Sequence, residues 1–333
     1  MPDRLALALE RAWTGWRGER RNHGNVDHGF QLDLPVQKHW GGRVAFYLFL
    51  GGTGGGFVFL EIVLRWLGVL GTATAAWGMW IGLALAFLSL LAIFDHLGPV
   101  ARWRFLYAFR RPRQSWISRG VMIVSVLVLL RLVVALPTVP GAEGLPWADG
   151  SILGDGLRLL VLGFALAFVI YSGLVISSWN AIAFWNSALV PVLFVGFSFL
   201  GGLAALPVIA WLADGLTAME QVGDAIWPIV LALIAGDAIV LALYLHGMST
   251  ATRPARVSVG MILRGAERRR FVGGVVTLGL LIPAVVVTLE TIGSLGTGTG
   301  AALLLVGAVA AVQAGGYFLR DTILRAGVYG PPV

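Results

Sequence analysis

The side chains able to exchange a proton or grip a carbonyl are few, and four of them stand where long apolar runs begin or end: His39, Asp95, His96 and Tyr171. His39 precedes AFYLFLGGTGGGFVFL, Asp95 and His96 follow WIGLALAFLSLLAIF, and Tyr171 lies inside FVIYSGLVIS. An imidazole titrates near neutrality, so at a membrane edge it can both hydrogen-bond a ligand's carbonyl and pass a proton. A phenol in apolar surroundings needs a hydrogen-bond partner, which could equally be a backbone carbonyl. Plainer roles exist for the others: Trp40 beside His39 fits an interfacial aromatic belt, and His96 fits a cap that favours the dipole of the helix it ends. After it, Leu97, Gly98 and Pro99 turn the chain, and Gly98 leaves its backbone amide approachable.

A second set of ionisable groups falls inside apolar sequence. A charge near a bilayer core costs several kcal/mol unless it is paired or wet. Glu61 and Arg65 have the spacing of an i,i+4 ion pair. Arg131 and Arg158 are expected at similar depth, making with them either a structural salt-bridge cluster or a proton route. Asp237, in LALIAGDAIVLAL, is a lone midspan carboxylate, and Glu290 stands near the end of a later run. Asp95, His96, Asp237, Glu61, Arg131 and Arg158 are therefore the proton-relay candidates.

These residues need a membrane to sit in, and the composition supplies one. Of 333 residues 58% are hydrophobic and 12% charged, with a mean hydropathy of +0.84; soluble domains carry roughly 25% charge. There is no cysteine, which excludes a thiol nucleophile, a disulfide or a cysteine-ligated iron–sulfur cluster on this chain. The net charge of +7 then reads as basic loops on one side of a membrane rather than as a nucleic-acid surface. The short run Leu5 to Leu9 is broken by charge and lacks a small-residue cleavage site, so no secretory signal is expected.

A spanning helix takes about 20 mostly apolar residues. Eight stretches qualify, near 42–66, 73–95, 117–137, 152–178, 186–212, 222–247, 272–292 and 298–320. The expected fold is all-α and polytopic, with eight transmembrane helices in two sets of four. Residues 1–41 would precede the spans, 42–320 form the helical domain and 321–333 a tail. In the first span, Gly51 with Gly55 and Gly52 with Gly56 have the four-residue spacing that lets helix backbones approach closely.

Eight crossings put 21 of the 24 Lys and Arg on one side: those up to Arg43, those from Arg102 to Arg119, those of the sixth loop, and Arg320 with Arg325. The positive-inside rule makes that side cytoplasmic and places both termini there. His39, Asp95, His96 and Tyr171 map to the same leaflet, although nothing about charge counting required it.

Three segments in order, YLFLGGTGGG, FDHLGPVARWRFLYAFRRPRQSWISRG and IYSGLVISSWNAIAFWNSALVPVLF, resemble the NrfD-like family of polysulfide-reductase membrane subunits. The second matches an Asp-Leu-Gly motif followed by R-x-W and a proline-containing S-W stretch. The resemblance covers most of the first five helices. It implies an inner-membrane subunit, bacterial or archaeal, that binds ubiquinone or menaquinone without haem or an iron–sulfur cluster of its own. It also implies a four-cluster iron–sulfur partner, a molybdopterin catalytic subunit, and a quinone pocket at His39, Tyr47, Asp95 to Gly98 and Tyr171. Two departures stand out: His96 is inserted directly after Asp95, and the fifth-to-sixth helix loop has no arginine. Because the pocket lies on the basic side, the iron–sulfur partner would dock from the cytoplasm, as in relatives that oxidise sulfite or phenylacetyl-CoA. Two other classes remain open on the residues alone. A haem-b anchor would have to pair histidines such as His96 and His246, and a proton-coupled transporter would use Asp237 with the buried ion pairs.

Overall fold

The computed structural model describes residues 34–96 and 115–330. Eight helices in it are long and apolar enough to cross a membrane, and 79% of the described residues are helical, with no strand among them. They are α1 (Gly42–Trp66), α2 (Thr72–His96), α3 (Trp116–Ala135), α4 (Ile152–Ser177), α5 (Leu189–Asp214), α6 (Leu216–Thr250), α8 (Arg270–Thr291) and α9 (Thr299–Arg325). Between α6 and α8 lies one helix too short to span, α7 (Arg253–Leu263).

Helices α1 to α4 form one four-helix bundle, and α5, α6, α8 and α9 form the other, with α1 packed on both α5 and α9 at the seam. Both described chain ends emerge on one face. There Val36 bridges Val328, the Gln37 amide donates to the Gly327 carbonyl at 2.9 Å, and the Gln37 side chain donates to the Leu324 carbonyl at 2.7 Å. This terminal face also carries the α4–α5 connection, whose Trp185 indole donates to the Ile323 carbonyl at 2.8 Å. Trp40, taken from sequence as a belt residue, packs edge-on against Trp179 at 5.1 Å and beside Trp185 at 5.7 Å. On the opposite face a single residue, Gly215, joins α5 to α6 with φ +87°, a conformation open to glycine at little cost.

The outer surface is apolar: Leu129, Leu159, Leu212, Ile239 and Leu303 are among its exposed side chains. Lipid tails are as apolar as leucine, so burial does little to drive such helices together, and close packing between backbones does the work. The glycine run of α1 supplies it on two sides. A Cβ on Gly51 would stand 2.8 Å from the Phe168 ring, and one on Gly55 2.9 Å from Val169, both on α4. Against α5 the fit is backbone to backbone: a Cβ on Gly56 would meet the Ser198 carbonyl oxygen at 2.5 Å, and one on Gly202 the Phe57 amide nitrogen at 2.5 Å. The two glycine pairs read from the sequence therefore serve two different neighbours.

Element ends shift modestly from the sequence reading. Helix α6 runs 35 residues, well past its apolar stretch at both ends, because backbone hydrogen bonds continue a helix into the interface without needing apolar side chains. Helix α9 continues to Arg325. The first part of α8, Arg270–Leu281, winds as a π-helix. Pro283 follows two residues after its end; it cannot donate to the Gly279 carbonyl and crowds it, and wider winding absorbs the mismatch.

Gly56→Val should force α1 and α5 apart and destabilise the protein by about 1–3 kcal/mol, read as a lower melting temperature in detergent. Gly163→Ala, where a Cβ would meet nothing within 4 Å, should leave it unchanged.

Candidate functional site

Inside the first bundle, toward the terminal face, α1 delivers Tyr47 and α4 delivers Tyr171, both buried, at 6% and 3% exposure. The two phenols are electrostatic neighbours, yet the Tyr47 hydroxyl has no partner of hydrogen-bonding geometry among the described residues. Tyr171 is held flat. Phe168, one turn away, stacks parallel to it at 6.2 Å and 8°, and Gly120 of α3 leaves the space that its ring occupies. Ser89 of α2 faces the same place, 3.0 Å from where a Gly51 Cβ would be, and its hydroxyl is also unpartnered. Four helices thus converge on a polar spot in an apolar wall.

Of the other pocket residues read from the sequence, His39 alone has a described side chain. His39 is exposed in the segment before α1, its backbone amide donating to the Gln37 side-chain oxygen at 3.1 Å. Asp95 and His96 close α2 on the terminal face, their side chains lying outside the described residues, as do Leu97 and Gly98. The geometry joins Tyr47 to Tyr171, two helices that the sequence alone could not pair. Gly120 was missed, since a glycine matters here only for what its absent side chain makes room for.

Toward the opposite face the same bundle carries a ladder of charges. Arg131 of α3 donates to Glu61 at 2.6 Å, both fully buried, and also to the Gly78 and Met79 carbonyls, each at 3.2 Å. Arg65 and Arg158 both pair with Asp149 of the α3–α4 loop, and Arg158 also pairs with Asp155 at 3.0 Å. The expected Glu61–Arg65 pair is therefore not formed. Gly78 lets α2 come close enough that a Cβ there would be 2.9 Å from the Glu61 Cγ. Arg131 then reaches the Glu61 carboxylate together with two carbonyls in one place, while Arg65, a turn nearer the surface, finds Asp149.

Asp237 of α6 is 5% exposed, and its Oδ2 has no partner among the described residues. It lies over Gly196 of α5, and its electrostatic counterpart is Arg320 of α9. Arg320, counted from sequence among the surface charges of the terminal face, is fully buried. It donates to the Gly316 carbonyl at 2.7 Å, the Ser198 hydroxyl at 2.8 Å and the Phe194 carbonyl at 3.2 Å, and stacks over the Phe194 ring. The signal was available in the helical phase: Arg320 lies four residues after Gly316 and eight after Val312, all three buried. His246 stands on α6, in the second bundle, and His96 on α2, in the first.

Among the described residues no group of three or more His, Cys, Asp or Glu is arranged to hold a metal ion. The polar atoms gathered at this spot are hydroxyls in apolar surroundings. No curated protein matches the chain. A family model described as "Polysulphide reductase, NrfD" matches residues 33–331, nearly its whole length. Eight apolar helices and that match together mean that the chain belongs to the NrfD polysulphide reductase family, the multi-pass membrane subunits of molybdopterin oxidoreductase complexes.

Proposed function

We propose that this subunit binds a quinone or quinol at the terminal-face end of the first bundle and exchanges electrons there with a partner iron–sulfur subunit, itself joined to a molybdopterin catalytic subunit. The observation that carries the reading is the meeting of two buried phenols, Tyr47 and Tyr171, from different helices, one of them with an unpartnered hydroxyl. A buried phenol without an acceptor is costly, and a quinone carbonyl is an acceptor of the right kind. Tyr47 and Tyr171 donate to the headgroup, and Phe168 holds the Tyr171 ring in place. His39 and the segment Asp95, His96, Leu97 and Gly98 are the further candidates for contact with the headgroup on the side from which electrons arrive. Two-electron quinone chemistry also moves two protons, and Asp95 with His96 is the nearest titratable pair along the chain at that face.

The basic loops favour a cytoplasmic terminal face in the inner membrane, so that the partner docks and the complex takes its substrate from the cytoplasm. Support for this lies in the charge asymmetry: Arg253, Arg256, Arg264, Arg268, Arg269 and Arg270 all lie in and around α7 on the terminal face, and the described loops of the other face carry Glu143 and Asp149.

Tyr171→Phe in the assembled complex should lower quinone-linked turnover by about tenfold or more while dye-linked activity of the catalytic subunit is unchanged; equal loss of both would sink the assignment. Gly120→Val, which displaces the phenol without removing it, should reproduce the selective loss.

A further inference from the structure

Helix α7 and the stretch leading from it into α8, residues 253–270, hold six arginines and a single acid, Glu267. The acid is turned inward: Glu267 is buried and accepts from Arg270 at 2.8 Å, and Arg270 also reaches Asp321 of α9 at 3.6 Å. Arg256, Arg264, Arg268 and Arg269 are exposed, and none of the four has an ion-pair partner among the described residues. A run of like charge this dense repels itself, so something outside the chain has to answer it.

The position of these arginines in the fold says what that is. Helix α7 joins two spanning helices, α6 and α8, and packs against both. Its ends are tied to the places where the chain leaves and re-enters the apolar layer, which sets α7 at headgroup depth. Leu243 of α6 and Val272 and Val285 of α8 are exposed, so lipid tails run up the outer sides of both spans. Arg268 stands one turn before Val272 and Arg269 one turn before Gly273, all four exposed, and the arginines therefore begin the same lipid-facing surface. On α7 itself Arg256, Val257, Gly260, Leu263 and Arg264 share the outward side, opposite the buried Ala255, Val259 and Ile262. A helix held by lipid alone turns its apolar side into the acyl boundary. Helix α7 turns that side into the protein, and what it offers to lipid is guanidinium, which binds phosphate bidentately. Gly260, where a Cβ would meet nothing within 4 Å, leaves the helix bare midway between Arg256 and Arg264. An acidic protein partner is the other body that could meet such charge. It would come from the aqueous side onto the tops of the helices, whereas Val257, Leu263 and Val272, each about two-fifths exposed, place this surface on their flanks.

We propose that α7 and the start of α8 form a binding site for anionic phospholipid, in which Arg256, Arg264, Arg268 and Arg269 hold the headgroup phosphates. The lipid bridges the outer ends of α6 and α8 and neutralises the charge that the chain's own acids leave unanswered. A zwitterionic headgroup carries an ammonium beside its phosphate and is held less firmly, so the site selects for net negative charge. It lies on the second bundle, apart from the two phenols of the first, and its occupancy involves no redox step.

The test uses the purified full-length chain with the subunits that accompany it, stripped of lipid in a neutral detergent. Phosphatidylglycerol or, separately, phosphatidylcholine is titrated back, bound lipid is read by native mass spectrometry, and the melting temperature is followed alongside. A ligand that binds the folded form raises that temperature. Phosphatidylglycerol should bind and raise it, phosphatidylcholine should do neither to the same extent, and added salt should weaken the difference. Replacing Arg256, Arg264, Arg268 and Arg269 by Gln together should abolish the preference, with apparent affinity falling about fivefold for each arginine removed. Replacing the same four by Lys, which keeps the charge, should retain most of it. Should the fourfold Gln variant fail to insert, Arg268→Gln combined with Arg269→Gln should lower the affinity by about 25-fold. Equal binding of the two lipids by the unaltered protein, or a preference unchanged in the Gln variants, would overturn the proposal. So would loss of the accompanying subunits from a Gln variant whose lipid preference is intact, an outcome that would make the patch a protein interface.

Discussion

The closeness of α1 to its neighbours is the constraint on which the rest depends. In lipid there is little gain from hiding one apolar surface against another, so a helix earns a central position by the contacts its backbone can make. GGTGGG gives α1 that access. Gly51 and Gly55 admit α4, Gly52 and Gly56 admit α5 and the Arg320 side chain, and Gly54 admits α2. With side chains at these positions α1 would be held off, the seam between the bundles would open, and Tyr47 would no longer stand beside Tyr171. Packing and site are therefore one feature of the sequence: the residues that let the helix in also fix where its phenol points.

Charge inside such a molecule must be answered locally, and the chain does so in two ways. In the first bundle Arg131 is answered by a carboxylate and by two carbonyls that Gly78 brings within reach. In the second, Arg320 has no carboxylate within salt-bridge distance among the described residues, and it is answered by two carbonyls, a serine hydroxyl and an aromatic face. Guanidinium suits both settings, since its planar fork donates in several directions and stacks on rings. Asp237 gains a distant counter-charge from this arrangement and no direct bond at Oδ2. Its neighbours along α6, Ile234 and Leu241, are apolar and buried.

Much of this was legible beforehand, for physical reasons that also explain the remainder. Span positions follow from the need to satisfy backbone groups in lipid over a fixed thickness, and all eight stretches are found within a few residues at most ends. The ends of α6 were not, because a helix leaving the bilayer obeys no hydropathy rule. Helix α7 is too short and too polar for a span; its alternation of buried Pro254, Ala255, Ser258, Val259 and Ile262 with exposed Arg253, Arg256 and Arg264 is an amphipathic signal that a search for spans passes over. Glu61 and Arg65 show the limit of spacing arguments: an i,i+4 pair on one helix competes with every cross-helix partner, and here Arg131 and Asp149 win. Arg320 shows the limit of counting charges by loop, since one turn of helix separates a surface arginine from a buried one.

One stripe of α1 joins these pieces. Tyr47, Gly51, Gly54, Val58, Glu61 and Arg65 follow one another at steps of four, three, four, three and four residues, which places them along a single face of the helix. From Tyr47 to Arg65 the rise is about 27 Å, close to the hydrocarbon thickness of a bilayer. The pocket at the terminal face and the charge ladder at the other are thus two ends of one rigid rod, with glycine between them where α2 and α4 press closest.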